Sequence, residues 1–142
     1  FPDINKFSHF CFVDCDKIVC YGRSLRSGSK YFLLDLDKRK IIQDYKTMGG
    51  RQIDGHPRQT NRKNYVLLDT YPDITSYQHC KLLNITNGHV TTIFKIKNKT
   101  QIKTSERTDM HPRIDHDDNI YIDTCFDNQR ACKILIQNST DI

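Results

Sequence analysis

The sequence predicts an all-β fold built from repeated four-stranded sheets, and three observations predict it. Apolar residues alternate with period two in short β-branched and aromatic runs. Turn-forming clusters separate those runs. The chain also repeats its own wording: "GHPRQTNRKNYVLLDTYPD" at 55–73 is followed by "MHPRIDHDDNIYIDTCFD" at 110–127.

In chain order, the runs "HFCFV" (9–13), "KIVCYG" (17–22), "YFLLDLD" (31–37) and "KIIQDY" (40–45) follow one another as hairpins across Asp-Cys-Asp, Ser-Gly-Ser and Asp-Lys-Arg turns. A second set reads "HPRQT" (56–60), "YVLLDTY" (65–71), "QHCKLLNIT" (78–86) and "HVTTIFKI" (89–96), with Asn87-Gly88 as a tight hairpin turn. A third reads "HPRID" (111–115), "NIYIDTCF" (119–126) and "RACKILIQN" (130–138), and its fourth strand is absent.

Self-alignment ties the sets together. His56 and His111 precede Tyr65 and Ile120 by nine positions, as His9 precedes Ile18, and Asp69-Thr70 matches Asp123-Thr124. A period of about fifty residues with four short strands is the pattern of β-propeller blades. The expected blades span about 5–46, 52–96 and 107–138 of a single 1–142 fragment. Because such sheets bury their faces on neighbours and close with about four to eight blades, the rest of the propeller or a second chain is expected as a partner.

Composition narrows the class. At 142 residues the chain is one domain, and no apolar stretch approaches the length of a membrane span. No leader is visible, although Phe1 in place of Met points to a missing natural N-terminus. The six cysteines (Cys11, Cys15, Cys20, Cys80, Cys125, Cys132) form no C-x-x-C pair, and four sit in or beside apolar strands. They read as reduced, buried thiols, which makes the cytoplasm the expected compartment. The net charge of +5 is scattered, and the one dense basic stretch, "KIKNKTQIKTSER" at 95–107, has no aromatic residue to stack on a base. Nucleic acid is not an expected partner.

The segments "SHFCFVDCDKIVCYG", "DGHPRQTNRKNYVLLDTYPD" and "DMHPRIDHDDNIYIDTCFD" resemble successive blades of bacterial β-propeller proteins of the oligogalacturonate-lyase-like and TolB-like group. The turns depart from that group: "TNRKN" and "DHDDN" stand where "SPDG" is usual. The resemblance implies either an appendage of polysaccharide-related proteins or a lyase with a histidine-bound metal.

The first strand of each blade lines the central channel, so His9, His56 and His111 are expected to face one another near one mouth. Three imidazoles suit Mn, Zn or a similar divalent cation. Arg58 and Arg113, two residues after their histidines, fall on the same strand face and suit a carboxylate. Tyr71 and Phe126, at matching positions beside them, suit a sugar ring. The histidines have a second possible role, as pins bonded to Asp69-Thr70 or Asp123-Thr124 of an adjacent strand, and Asp54 and Asp109 either orient imidazoles or cap turns. The expectation is a module binding a carbohydrate or acidic glycan. The alternatives are a metal-dependent polysaccharide lyase and a protein-binding scaffold.

Overall fold

The computed structural model describes residues 1, 3–46, 54–97, 108–126 and 129–135, with backbone alone for 125, 126 and 129–135. Every expected run lies on a strand, with residues 136–138 of the last run outside the described residues, and no described residue is helical. Strands β1 (Ile4–Asp14), β2 (Lys17–Ser24), β3 (Gly28–Asp35) and β4 (Lys40–Tyr45) form one antiparallel sheet in chain order. Strands β5 (Arg58–Gln59), β6 (Tyr65–Asp69), β7 (Tyr77–Asn84) and β8 (Val90–Lys97) form a second. Strands β9 (Arg113–Ile114), β10 (Ile120–Phe126) and β11 (Gln129–Leu135) form a third, of three strands among the described residues.

Two boundaries differ from expectation for a backbone reason. The runs at 56–60 and 111–115 shrink to two-residue strands because Pro57 and Pro112 have no N–H to give to a ladder. At the β7–β8 connection, Asn84 N donates to His89 O and Gly88 N to Asn84 O, so Asn87-Gly88 closes a longer loop over 85–88. Gly88 takes φ 75° there, and the Asn84 carboxamide accepts from Thr86 N.

The sheets pack face to face. We call the face of each sheet turned toward the next its leading face, and the opposite one its trailing face. Val19, Tyr31, Leu33 and Tyr45 of the first sheet pack on Val66, Leu68, Leu83 and Val90 of the second. The Tyr45 hydroxyl donates across that seam to Ile85 O at 2.7 Å. The leading side chains of the second sheet, Leu67, Cys80 and Leu82, pack on Met110, Ile120 and Ile122 of the third region. Both faces of the second sheet are therefore covered, which is why β6 reads as a continuous apolar run rather than an alternation. Each such aliphatic side chain contributes roughly 1.5–3 kcal/mol by leaving water.

This packing corrects the self-alignment by one residue. Val66 and Leu68 face backward onto the first sheet, and Ile120 and Ile122 face backward onto the second, so Ile120 corresponds to Val66 and not to Tyr65. The ladders agree, since Arg58 pairs with Leu67, Arg113 with Tyr121 and Cys11 with Val19. The turn after β5 is one residue longer than the turn after β9. A slip of one residue in a strand exchanges its faces, so only the packing reveals it.

Cys11, Cys15, Cys20 and Cys80 are free thiols. Burial pushes the Cys11, Cys20 and Cys80 thiols up to about 12. Cys15 departs from the expected burial: it sits exposed in the β1–β2 turn, where a two-residue hairpin loop has no interior. The side chains of Cys125 and Cys132 lie outside the described residues. Among the described residues no helix is long and apolar enough to cross a membrane.

Candidate functional site

The three repeated histidines enter the site from the first strands of the three sheets. His9 lies on β1 at a bulge: Phe7 pairs with Gly22 and Phe10 with Cys20, so Ser8 and His9 together oppose a single residue. Bulges of this kind re-aim side chains. Here both turn to Asp54, with Ser8 Oγ donating to its Oδ2 at 2.6 Å and His9 Nδ1 lying 3.2 Å from its Oδ1. His56 and His111 stand just before β5 and β9, each followed by proline.

The imidazoles converge. The His9 and His56 ring centroids are 4.2 Å apart, and those of His56 and His111 are 3.9 Å apart. Each ring also meets a carboxylate at Nδ1. For His56 it is Asp69 on β6, with both oxygens 3.1 Å from Nδ1; for His111 it is Asp123 on β10, at the ion-pair distance of 4.0 Å. Convergence and pinning, the two roles left open by the sequence, occur together at His9 and His56, while the His111 ring stands at ion-pair distance only. An imidazole held at Nδ1 by a carboxylate presents Nε2 to a ligand in a fixed direction, as the histidines of metal sites do.

Asp69 is the hub. Its side chain is buried, and besides the His56 ring it accepts the backbone N–H of His56 and, from the next sheet, that of His111 at 3.0 Å. One carboxylate thus sets two of the three histidines across a sheet boundary. His111 itself takes φ 41°, a left-handed conformation uncommon outside glycine, and the bond to Asp69 holds it there. Burial alone would lower the pKa of His56, but the hydrogen bond and charge of Asp69, with Asp109 and Asp54 behind it, outweigh that effect and raise it.

A cleft of about 260 Å³ opens over this cluster, lined by the three histidines, Pro57, Pro112, Arg58 and Arg113, with Phe10 at one side. That size is somewhat below the roughly 300–1,000 Å³ of drug-sized ligand sites. Both arginines reach the cleft. Both are exposed, and Arg113 gives Nη2 to Asp123 Oδ1 at 2.5 Å, which fixes its position. Tyr71 stands edge-on behind the histidines, 6.3 Å from His9 and 5.9 Å from His56 between ring centroids. Phe126 belongs to β10, and its side chain lies outside the described residues.

Donor atoms of His56, Asp109 and His111 all lie within 4.8 Å of one another, with His9 beside this set. Ligands on a tetrahedral ion with bonds of about 2.1 Å lie about 3.4 Å apart, so the two imidazoles and the carboxylate would draw together to hold a divalent cation. The equivalence of the histidines was visible in the sequence. The distinct roles of Asp54, Asp69 and Asp109 were not: Asp54 and Asp109 both stand two residues before a histidine, yet Asp54 bonds to Ser8 and His9 of the preceding sheet, Asp109 joins the His56–His111 donor set, and Asp69 acts from a strand that follows. Against known proteins, no family model, no curated protein and no solved structure matches this chain.

Proposed function

We propose that the histidine cleft binds a divalent cation together with an acidic sugar unit of a glycan, and that the three sheets are consecutive blades of a β-propeller whose axis passes this cleft. The observation that carries the reading is the meeting of His9, His56 and His111 in one cleft, each with Nδ1 directed to an aspartate. His56, Asp109 and His111 hold the ion, of which Mn and Zn are the natural choices for such a donor set. The ion and the guanidinium of Arg58 attract the sugar carboxylate, and the edge of the cleft meets the apolar face of the ring.

A lyase is the second reading, and His9 favours it. His9 is paired with Asp54 and stands outside the donor set, which is where a base taking the proton α to the carboxylate belongs. The C–O bond at the β position would then break as the C=C bond forms, leaving an unsaturated sugar and a chain end whose oxygen takes a proton from water.

The test is titration of the apo chain with Mn and with Zn, then with galacturonate oligomers in the presence and absence of the ion. Tight metal binding that His56→Ala and Asp109→Asn abolish, with oligomer binding dependent on the metal, is the expected result. Absence of metal and glycan binding in the wild type overturns the site. Appearance of an unsaturated product that His9→Ala suppresses, with metal binding retained, selects the lyase.

A further inference from the structure

A second cleft, of about 710 Å³, adjoins the histidine cleft, and Phe10, Pro57 and Arg58 line both. The two are contiguous. From the shared residues the second cleft follows β1 to Phe12 and the chain through β5 to Asn61, with Ile114 of β9 also lining it. Phe12 lies three residues past His9, roughly 10 Å at the rise of an extended strand.

This second cleft has a chemistry of its own. Phe10 and Phe12 are 56% and 50% exposed, and their rings meet edge to face with centroids 6.1 Å apart. From β5 come Arg58 and Gln59, both exposed. Among the described residues no carboxylate pairs with the Arg58 guanidinium, in contrast to Arg113 with its Asp123, and no hydrogen bond engages the Gln59 carboxamide. Asn61 gives Nδ2 to Asp115 O and to Asp118 Oδ1, which holds its carboxamide in place and leaves Oδ1 to accept.

Half-exposed aromatic rings beside carboxamides and a guanidinium match the needs of an acidic sugar chain. Its C–H faces lie on rings, its hydroxyls bond to amides and its carboxylates pair with arginine. A peptide strand fits less well, because it needs an unbroken run of backbone groups to pair with. Strand β5 is only two residues long behind Pro57, and the register of β1 shifts on both sides of Phe10–Phe12.

We infer that the second cleft receives the next units of the acidic glycan whose first unit sits in the histidine cleft, so that the protein selects chains over single sugars. Phe12 and Gln59 hold the chain, and Arg58 stands at the junction of the two clefts. The inference rests on the glycan reading of the histidine cleft and adds a preference for chain length to it.

Calorimetric titration of the Mn-loaded chain with galacturonate monomer, dimer and tetramer tests it, beside a neutral galactose tetramer and an oligoglutamate peptide. The wild type is expected to bind the galacturonate tetramer about tenfold more tightly than the monomer, and Phe12→Ala and Gln59→Ala each to remove most of that difference with circular dichroism unchanged. If Phe12→Ala loses its strand signal, Gln59→Ala carries the test, since its side chain is exposed. A monomer bound as tightly as the tetramer overturns the inference and leaves the histidine cleft its ligand. Failure to bind galacturonate of any length overturns both. Variants that keep the full preference for the tetramer also overturn the inference. A galactose tetramer bound as well as the acidic one overturns the acidic chain, and oligoglutamate bound more tightly than either tetramer overturns the glycan in favour of a peptide.

Discussion

At Gly55 any side chain would meet the backbone carbonyl of Asp69, because an added Cβ falls well inside van der Waals contact with Asp69 O and Asp69 C. The reason is space and not a left-handed φ. The absence of a side chain lets the segment before His56 lie against β6, so that the Asp69 carboxylate reaches both the N–H and the ring of His56. Gly55→Ala is expected to destabilise the fold by about 1–3 kcal/mol or more, as overpacking does, and to lower the melting temperature accordingly. The clash lies against backbone, so no side-chain rotation relieves it. His-Pro-Arg was legible as a motif in the sequence, but the need for glycine before it was not, because the obstacle arrives from β6.

At the scale of an element, the turn between β9 and β10 is built on one carboxylate. Asp115 Oδ1 accepts from Asp117 N and Asn119 N, while Oδ2 accepts from Asn119 Nδ2 and the Tyr121 hydroxyl. The hydrogen bond from the Asn119 side chain, followed by the backbone and tyrosine donors, holds the Asp115 pKa down to about 2. An unfolded aspartate titrates near 3.9. The folded-state value is depressed, so the stabilisation is present above about pH 4 and is lost as pH falls through about 2. Asp115→Asn is expected to lower the melting temperature at neutral pH and to make it fall less steeply than the wild type between pH 4 and pH 2. Thermal melts across that window measure it. Asp73 plays the same part after β6, accepting from Thr75 N, Thr75 Oγ1, Tyr77 N and His79 Nε2, with its pKa likewise depressed. The sequence marked these stretches as polar turns, and a polar turn does not reveal which aspartate its amides choose.

For the molecule as a whole, stability runs along the stack, since each sheet packs on its neighbours through one seam. Leu67 is fully buried in the seam between the second and third sheets. Leu67→Ala is expected to cost about 2–5 kcal/mol. The loss should be local. Amide hydrogen exchange in β9 and β10 is expected to quicken well before that of β2 and β3, which depend on the other seam. Equal acceleration in all three sheets would mean that the stack unfolds as one cooperative unit.

The all-β class, the order of the hairpins and the equivalence of His9, His56 and His111 were set by the sequence alone. Period-two alternation and turn chemistry act between near neighbours, and a repeat places equivalent residues alike wherever the chain goes. Tertiary structure decided the rest. The one-residue offset between β6 and β10 is invisible until opposing sheets select which side chains are buried. The β1 bulge that turns Ser8 and His9 to Asp54 follows from pairing with β2. Asp69 became the hub because the third sheet delivers the His111 N–H to it from 42 residues away, a contact that no local pattern encodes. Local periodicity chooses strands and faces, and burial between strands distant in sequence chooses which carboxylate holds which histidine.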